Sequence, residues 1–319
     1  MKIILLTRFH SQNAVSGFMS RLLSEAVALG HVLQLINPDE VVLQFGGQPG
    51  VPGGAFPIQF PVLWQGSAFP EADLVIPLCR WNDTHTWQVA ETLQAVGRRV
   101  VLHNKIPLGD NVTMARLMAR WGLPIPRSWV LAQPVQAAIV LPELKFPCLM
   151  RSRYGGAGRK LIVAQHSGEV FGYAEQLCRG GQSVMIQDLP EPLGEDIRAL
   201  VIGEVVAVAV RRIAPEGFVR PRENGNSRVN VVELTPKETE LMAGAARMYG
   251  GTFCAVSLLR TQQGPVLLEV SRAPVLAEME MASKLNLAKM VVEHLVTLAG
   301  RPKQENVMPF RVGVAATGR

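Results

Sequence analysis

Cysteine is scarce in this chain, with four in 319 residues, at 79, 148, 178 and 254, each standing alone. With no CxxC pair, neither a zinc knuckle nor a disulfide framework is indicated. Aromatics make up only 6% of the residues, and the basic side chains are spread out rather than interleaved with stacking rings, which speaks against a nucleic-acid surface. No stretch approaches the ~18 consecutive apolar residues that span a bilayer, and the opening segment turns polar after four apolar positions. A cytoplasmic protein with no membrane partner is the expectation. Lysine is also in short supply, 8 against 24 arginines within a formal net charge of +6. Guanidinium forks bind carboxylate and phosphate in bidentate fashion, so the skew suits an acidic or phosphorylated ligand; a genomic bias toward arginine produces the same count. The six histidines show no HxxxH or HxH spacing, and no GxSxG elbow occurs.

What remains is 48% hydrophobic and 18% charged, the composition of a folded α/β chain long enough for two or three packed units. Residues 2–7 read as an apolar strand, 15–29 as a helix ending at Gly30, and 31–36 as a second strand closed by Asn37-Pro38, which makes one βαβ unit. A Gly/Pro-rich loop at 46–57 precedes a buried strand at 74–78, a helix at 86–96 and a strand at 99–103. The GxGxxG fingerprint is missing from the first turn, so a dinucleotide-binding domain is disfavoured. The pattern then changes near Asn104. A helix (110–121), strands at 127–131, 147–152 and 161–164, a helix ending near Cys178 and a strand at 183–188 follow. Two apolar strands, 197–202 and 205–212, join at Gly203-Glu204 as a hairpin. A helix at 236–249, strands at 253–260 and 265–271, a helix at 287–298 and a loose tail after Arg301 complete the chain.

The segment between the strands at 147–152 and 161–164 carries Gly155, Gly156 and Gly158, with Arg151, Arg153, Arg159 and Lys160 at its rim. Glycines lacking Cβ let backbone N–H groups close over phosphate oxygens, but an ordinary hairpin turn with solvated basic residues has the same composition, and no helix follows directly as in a P-loop.

The order of these features along the chain resembles the ATP-grasp superfamily, and more closely the RimK-like glutamate ligases. The resemblance rests on Ala119-Arg120-Trp121-Gly122 with Leu123-Pro124, Glu195-Asp196-Ile197-Arg198 with Val201-Ile202-Gly203, Arg211-Arg212 with Glu216-Gly217, and Leu267-Leu268-Glu269-Val270 with Ala273-Pro274. It implies an α/β fold: an N-terminal doubly wound pre-ATP-grasp domain (1–104), then a two-subdomain ATP-grasp fold with a small subdomain holding the glycine loop (105–186), a large subdomain (187–301) and a C-terminal tail (302–319). ATP would lie between the subdomains. Gln187, Asp188 and Leu189 match the hinge whose backbone binds adenine, and Arg151, Asp196 and Arg198 match nucleotide-binding positions. Gly155, Gly156 and Gly158 match the loop over the phosphates, and Arg211 and Arg212 the basic pair at the transferred phosphoryl group. Arg220 and Asn226 fall in the substrate loop. For Mg2+ the family uses an acidic residue and a Glu-x-Asn pair; the positions here are Ser257, Glu269 and Ser271, so only one is a carboxylate. An earlier family lysine is replaced by Asn111. The implied activity is ATP-dependent ligation of an amine to the carboxylate of an acidic amino acid, peptide or protein, in a chain that could form homo-oligomers. The altered metal positions keep open a second reading, a catalytically impaired nucleotide- or partner-binding subunit.

Overall fold

The computed structural model describes residues 1–8, 17–45, 62–78, 83–101, 110–153, 161–178, 181–221, 226–250, 252–271, 274 and 276–301. The loop expected at 46–57, the boundary residue Asn104, the three loop glycines and the tail from 302 lie outside them.

The chain opens with β1 (Lys2–Leu6), α1 (Gly17–Ala28) and β2 (Val32–Ile36). Small antiparallel strands β3 (Val41–Leu43), β4 (Val62–Trp64) and β5 (Ser67–Ala68) follow, then β6 (Leu74–Pro77) and α2 (Thr84–Ala95). Strands β2, β1 and β6 form a parallel sheet in that order. β1 is apolar at successive positions because both of its faces are covered. Ile3 and Leu5 pack with Met19 and Leu22 of α1, whereas Ile4 and Leu6 pack with Val89 and Leu93 of α2. This is the doubly wound arrangement expected. Among the described residues of the strand expected at 99–103, Val100 bridges to Val75. The β3–β5 sheet was not anticipated, since its strands are two or three residues long.

Next come α3 (Asn111–Arg120), β7 (Ser128–Leu131), a short α4 (Ala137–Val140), β8 (Cys148–Ser152), β9 (Ile162–Ala164), α5 (Ser167–Cys178) and β10 (Val184–Asp188). The strands form an antiparallel sheet ordered β7-β10-β8-β9, with α4 and α5 on one face. β10 runs through Asp188, so the chain leaves this sheet two residues later than the expected division at 186/187. Asp110 starts α3 by accepting a hydrogen bond from the Thr113 amide at 2.7 Å. The helix then packs Leu117 and Met118 against the core of the following sheet rather than its own.

That second sheet is ordered β13-β12-β11-β14-β15. It consists of β11 (Glu195–Ile202), β12 (Val205–Ile213), β13 (Arg228–Val231), β14 (Phe253–Thr261) and β15 (Gly264–Ser271), with α6 (Pro236–Tyr249) between β13 and β14. Gly203, at φ +61, turns the β11–β12 hairpin, and a Thr235/Glu238 capping box starts α6. One face, through Ile197, Ala199, Val201, Val256 and Leu258, packs on α6. The other is divided. Leu200, Ile202, Val208, Val210 and Phe253 join the core formed by β1, α1 and the closing helices α7 (Ala277–Ser283) and α8 (Leu287–Gly300), while the remainder of that face is polar. Arg99 ties the first unit to the end of α8, donating to the Leu298 carbonyl at 2.5 Å and that of Ala299 at 2.7 Å.

Candidate functional site

Strand alternation generates the polar patch. Asp196 and Arg198 lie on the same face of β11, and across the antiparallel pairing Asp196 stands opposite Arg212 and Arg198 opposite Val210. On the other side Arg198 stands opposite Ser257, and Ser257 opposite Glu269. One row across the sheet therefore reads Arg198, Ser257, Glu269. Arg212 binds Asp196 in bidentate fashion, Nε to Oδ1 at 2.8 Å and a terminal nitrogen to Oδ2 at 2.6 Å, with both residues buried. Buried Arg198 donates to the Ser257 hydroxyl at 3.0 Å. Glu269 is exposed on this face and makes no hydrogen bond or ion pair among the described residues.

The four-stranded sheet contributes the opposing wall. Arg151 on β8 and Gln187 on β10 share a face, and the Arg151 guanidinium donates to the Gln187 side-chain oxygen at 2.6 Å; Gln187 donates in turn to the Ser128 hydroxyl at 3.0 Å. Among the described residues, Arg151 Nε is buried without a partner, as is Asp188 Oδ1. The other Asp188 oxygen accepts from Arg127 Nε at 3.2 Å. Beyond Asp188, half-buried Leu189 leads into a crossing that ends at Gly194, whose φ of +77 carries the chain into β11. A Cβ at Gly194 would come within 3.1 Å of the Phe218 carbonyl.

The two walls meet electrostatically. Burial, reinforced by the like charge of Arg220, pushes the Arg151 guanidinium down to about 10, with Glu269 acting against the shift. Burial also lowers Arg220, against the opposing pull of Glu269 and Asp196. Arg212 behaves differently: burial disfavours its charge, but Asp196, Glu278 and Glu269 outweigh it and hold the guanidinium above its ordinary value. Three arginines from two sheets and a connecting loop thus share one field with Glu269. Such a cluster is poised for a multiply charged anion.

Of the residues singled out from the sequence, the structure gathers Arg151, Gln187, Asp196, Arg198, Arg212, Arg220, Ser257 and Glu269 about this cleft. Arg211 is not among them. It alternates to the opposite face, opposite Ile197, lies exposed and pairs with Glu195. Adjacent residues of a strand cannot both line one face. Ser271 is half-buried at the end of β15, and exposed Asn226 makes no hydrogen bond to the cluster among the described residues. Gly155, Gly156 and Gly158 lie outside the described residues. Glu278 faces Arg212, and Glu280 is engaged elsewhere: its Oε1 accepts from the Leu287 and Ala288 amides at 2.9 and 3.1 Å, and Oε2 pairs with Arg21. The contact of the Gln187 side chain with Arg151 has no local sequence signal, because it depends on the pairing of β8 with β10.

A family model for the RimK-like ATP-grasp domain matches residues 109–295, more than half of the chain. The chain belongs to the RimK-like ATP-grasp family. A probable alpha-L-glutamate ligase of Legionella pneumophila is 27% identical over 282 residues, covering 86% of this chain and 90% of that protein. Among solved structures, the RimK domain ATP-grasp protein of Sphaerobacter thermophilus aligns with a TM-score of 0.65 at 16% identity, over 92% of this chain and 99% of its own. The ATP-grasp ligase PsnB, complexed with its minimal precursor, Mg and ADP, aligns with a TM-score of 0.65 at 16% identity, over 94% and 98%. Membership places the chain among ATP-dependent carboxylate–amine ligases.

The cleft of this RimK-like chain fits a polyphosphate, because Arg151 presents a buried Nε, unpartnered among the described residues, beside Arg220. Mg2+ fits poorly. It asks for anionic oxygen, commonly one or two carboxylates besides phosphate and water. Ser257 is held by Arg198 and Asp196 by Arg212, which leaves Glu269 as the carboxylate of the sheet row without a partner. Among the described residues no group of three His, Cys, Asp or Glu side chains is placed to hold a metal, and no helix is long and apolar enough to cross a membrane.

Proposed function

We propose that the cleft between the two antiparallel sheets binds ATP and activates the carboxylate of an acidic amino acid, peptide or protein for capture by an amine. The observation that carries this reading is the convergence of Arg151, Arg212 and Arg220 on one field, with a buried Arg151 nitrogen lacking a partner among the described residues. The 187–190 segment, where the chain crosses from one sheet to the other, takes the adenine through its backbone.

ATP supplies the phosphoryl group that turns the carboxylate into an acyl phosphate; a carboxylate oxygen forms the new bond to the γ-phosphorus as the bond to ADP breaks. The amine nitrogen then attacks the acyl carbon, phosphate leaves, and the nitrogen gives up a proton. Charge accumulates on phosphoryl oxygens during the first step and on the acyl oxygen during the second. Arg212, fixed by two bonds to Asp196, and Arg220 are the cations available to meet it without reorganising. Arg151 anchors the phosphate end while tied to Gln187. Asp196 orients Arg212 and does not touch substrate. Arg211, on the far face, takes no part.

The excess of arginine favours a negatively charged acceptor. The serines at 257 and 271 support a second reading, a nucleotide-binding subunit without turnover. ADP formation separates the two: incubation with ATP, a panel of acidic amino acids and peptides, and a panel of amines yields ADP and a new amide under the ligase reading. Binding of ATP with no ADP from any pair supports the other.

A further inference from the structure

At the positions where its family places a metal, this chain keeps one carboxylate, and a guanidinium lies against the neighbouring serine. The row across the large sheet reads Arg198, Ser257, Glu269, and the Arg198 guanidinium lies against the Ser257 hydroxyl at 3.0 Å, occupying an oxygen that a cation would need. Asp196, the next carboxylate of the same face, has both oxygens committed to Arg212. Glu280, buried after β15, has both of its oxygens engaged by Arg21 and the start of α8. Among the described residues, the cations Arg151, Arg198, Arg212 and Arg220 thus face the carboxylates Asp196, Glu269 and Glu278. The field is already positive before a divalent ion enters. A cation there would be repelled by neighbouring guanidiniums, while an anion would meet donors that lack partners.

We infer that this cleft neutralises the polyphosphate of ATP with its own guanidinium groups and binds the nucleotide without a divalent cation. This rests on the reading that the cleft takes ATP. Arg151 and Arg220 contact the phosphates, and Arg198, bridging to Ser257, fills the place of a cation. Glu269, next in the row, opposes the phosphate rather than recruiting it.

The test is calorimetric titration of the full chain with ATP, once with excess magnesium chloride and once with EDTA. The affinity in EDTA is expected to match that in magnesium within about twofold, or to be tighter, because free ATP carries more negative charge than its magnesium complex. Affinity at least about tenfold tighter with magnesium overturns the inference while leaving the nucleotide site intact. No binding in either condition defeats the nucleotide reading itself and this inference with it. Glu269→Gln provides an independent check. Loss of a carboxylate beside phosphate leaves ATP affinity unchanged or tighter in both conditions, whereas a metal-ligating Glu269 would lose affinity in magnesium alone. Ser257→Asp combined with Ser271→Asn restores a carboxylate to the row and a carboxamide two residues beyond Glu269 on β15, and is expected to make ATP binding magnesium-dependent.

Discussion

Substituting Asp196 by Asn isolates what the Asp196–Arg212 pair does. Both side chains are almost fully buried, at 7% and 5% exposure, and are joined by two short hydrogen bonds. Removing one partner of a buried pair strands the other charge, at a cost of about 3–5 kcal/mol. The amide keeps the shape and one acceptor, and Glu278 and Glu269 still face Arg212, so the lower end, about 3 kcal/mol, is expected. Urea denaturation followed by circular dichroism reads this as a lower midpoint with an unchanged slope. Asp196→Leu with Arg212→Met should cost less than the single change, because neither charge is left alone. ATP should raise the midpoint more in Asp196→Asn than in the native chain, since phosphate supplies the anion that Arg212 has lost. A single variant within about 0.5 kcal/mol of the native chain, or an ATP response no larger than native, would refute the reasoning.

Arg220→Ala should weaken ATP binding by about 1.5–3 kcal/mol as a lost charge-assisted contact, whereas Arg211→Ala, on the other face of β12, should change it by less than about 0.5 kcal/mol; calorimetry compares them. Gly203→Ala forces a side chain into the left-handed conformation at φ +61 and brings its Cβ within 2.9 Å of His294, so stability should fall by at least about 1–2 kcal/mol, with the clash but not the backbone strain relieved by His294→Ala. The hydrogen bonds from Arg260 hold the Glu238 carboxyl below its ordinary value of 4.5, so the stabilisation is complete above that value and is lost as pH falls through the lowered one; Glu238→Gln should flatten the acid side of a plot of urea midpoint against pH.

Much of this architecture is legible in the sequence because its elements follow simple patterns. Successive apolar positions in β1 announce a strand covered on both faces, and turn residues such as Gly203 and Asn37-Pro38 mark the connections. The short β3–β5 strands, β13 and α7 were missed, since two to seven residues give too little periodicity. The basic pair Arg211-Arg212 shows why a motif is less than a site. Both residues match the family, yet a strand sends neighbours to opposite faces, and only the pairing partner of Asp196 enters the cleft. The pairing of Ser257 with Arg198 depends on a register between strands almost sixty residues apart, which no local pattern encodes.

The central claim is ligation through an acyl phosphate, and isotope transfer tests it most directly. With acceptor carboxylates labelled by oxygen-18, the first step places one carboxylate oxygen on the γ-phosphorus, and the second releases it with phosphate. The account predicts one labelled oxygen in the inorganic phosphate for each ADP and each amide formed. ADP accompanied by unlabelled phosphate, or no ADP with any labelled acid and amine, would contradict it.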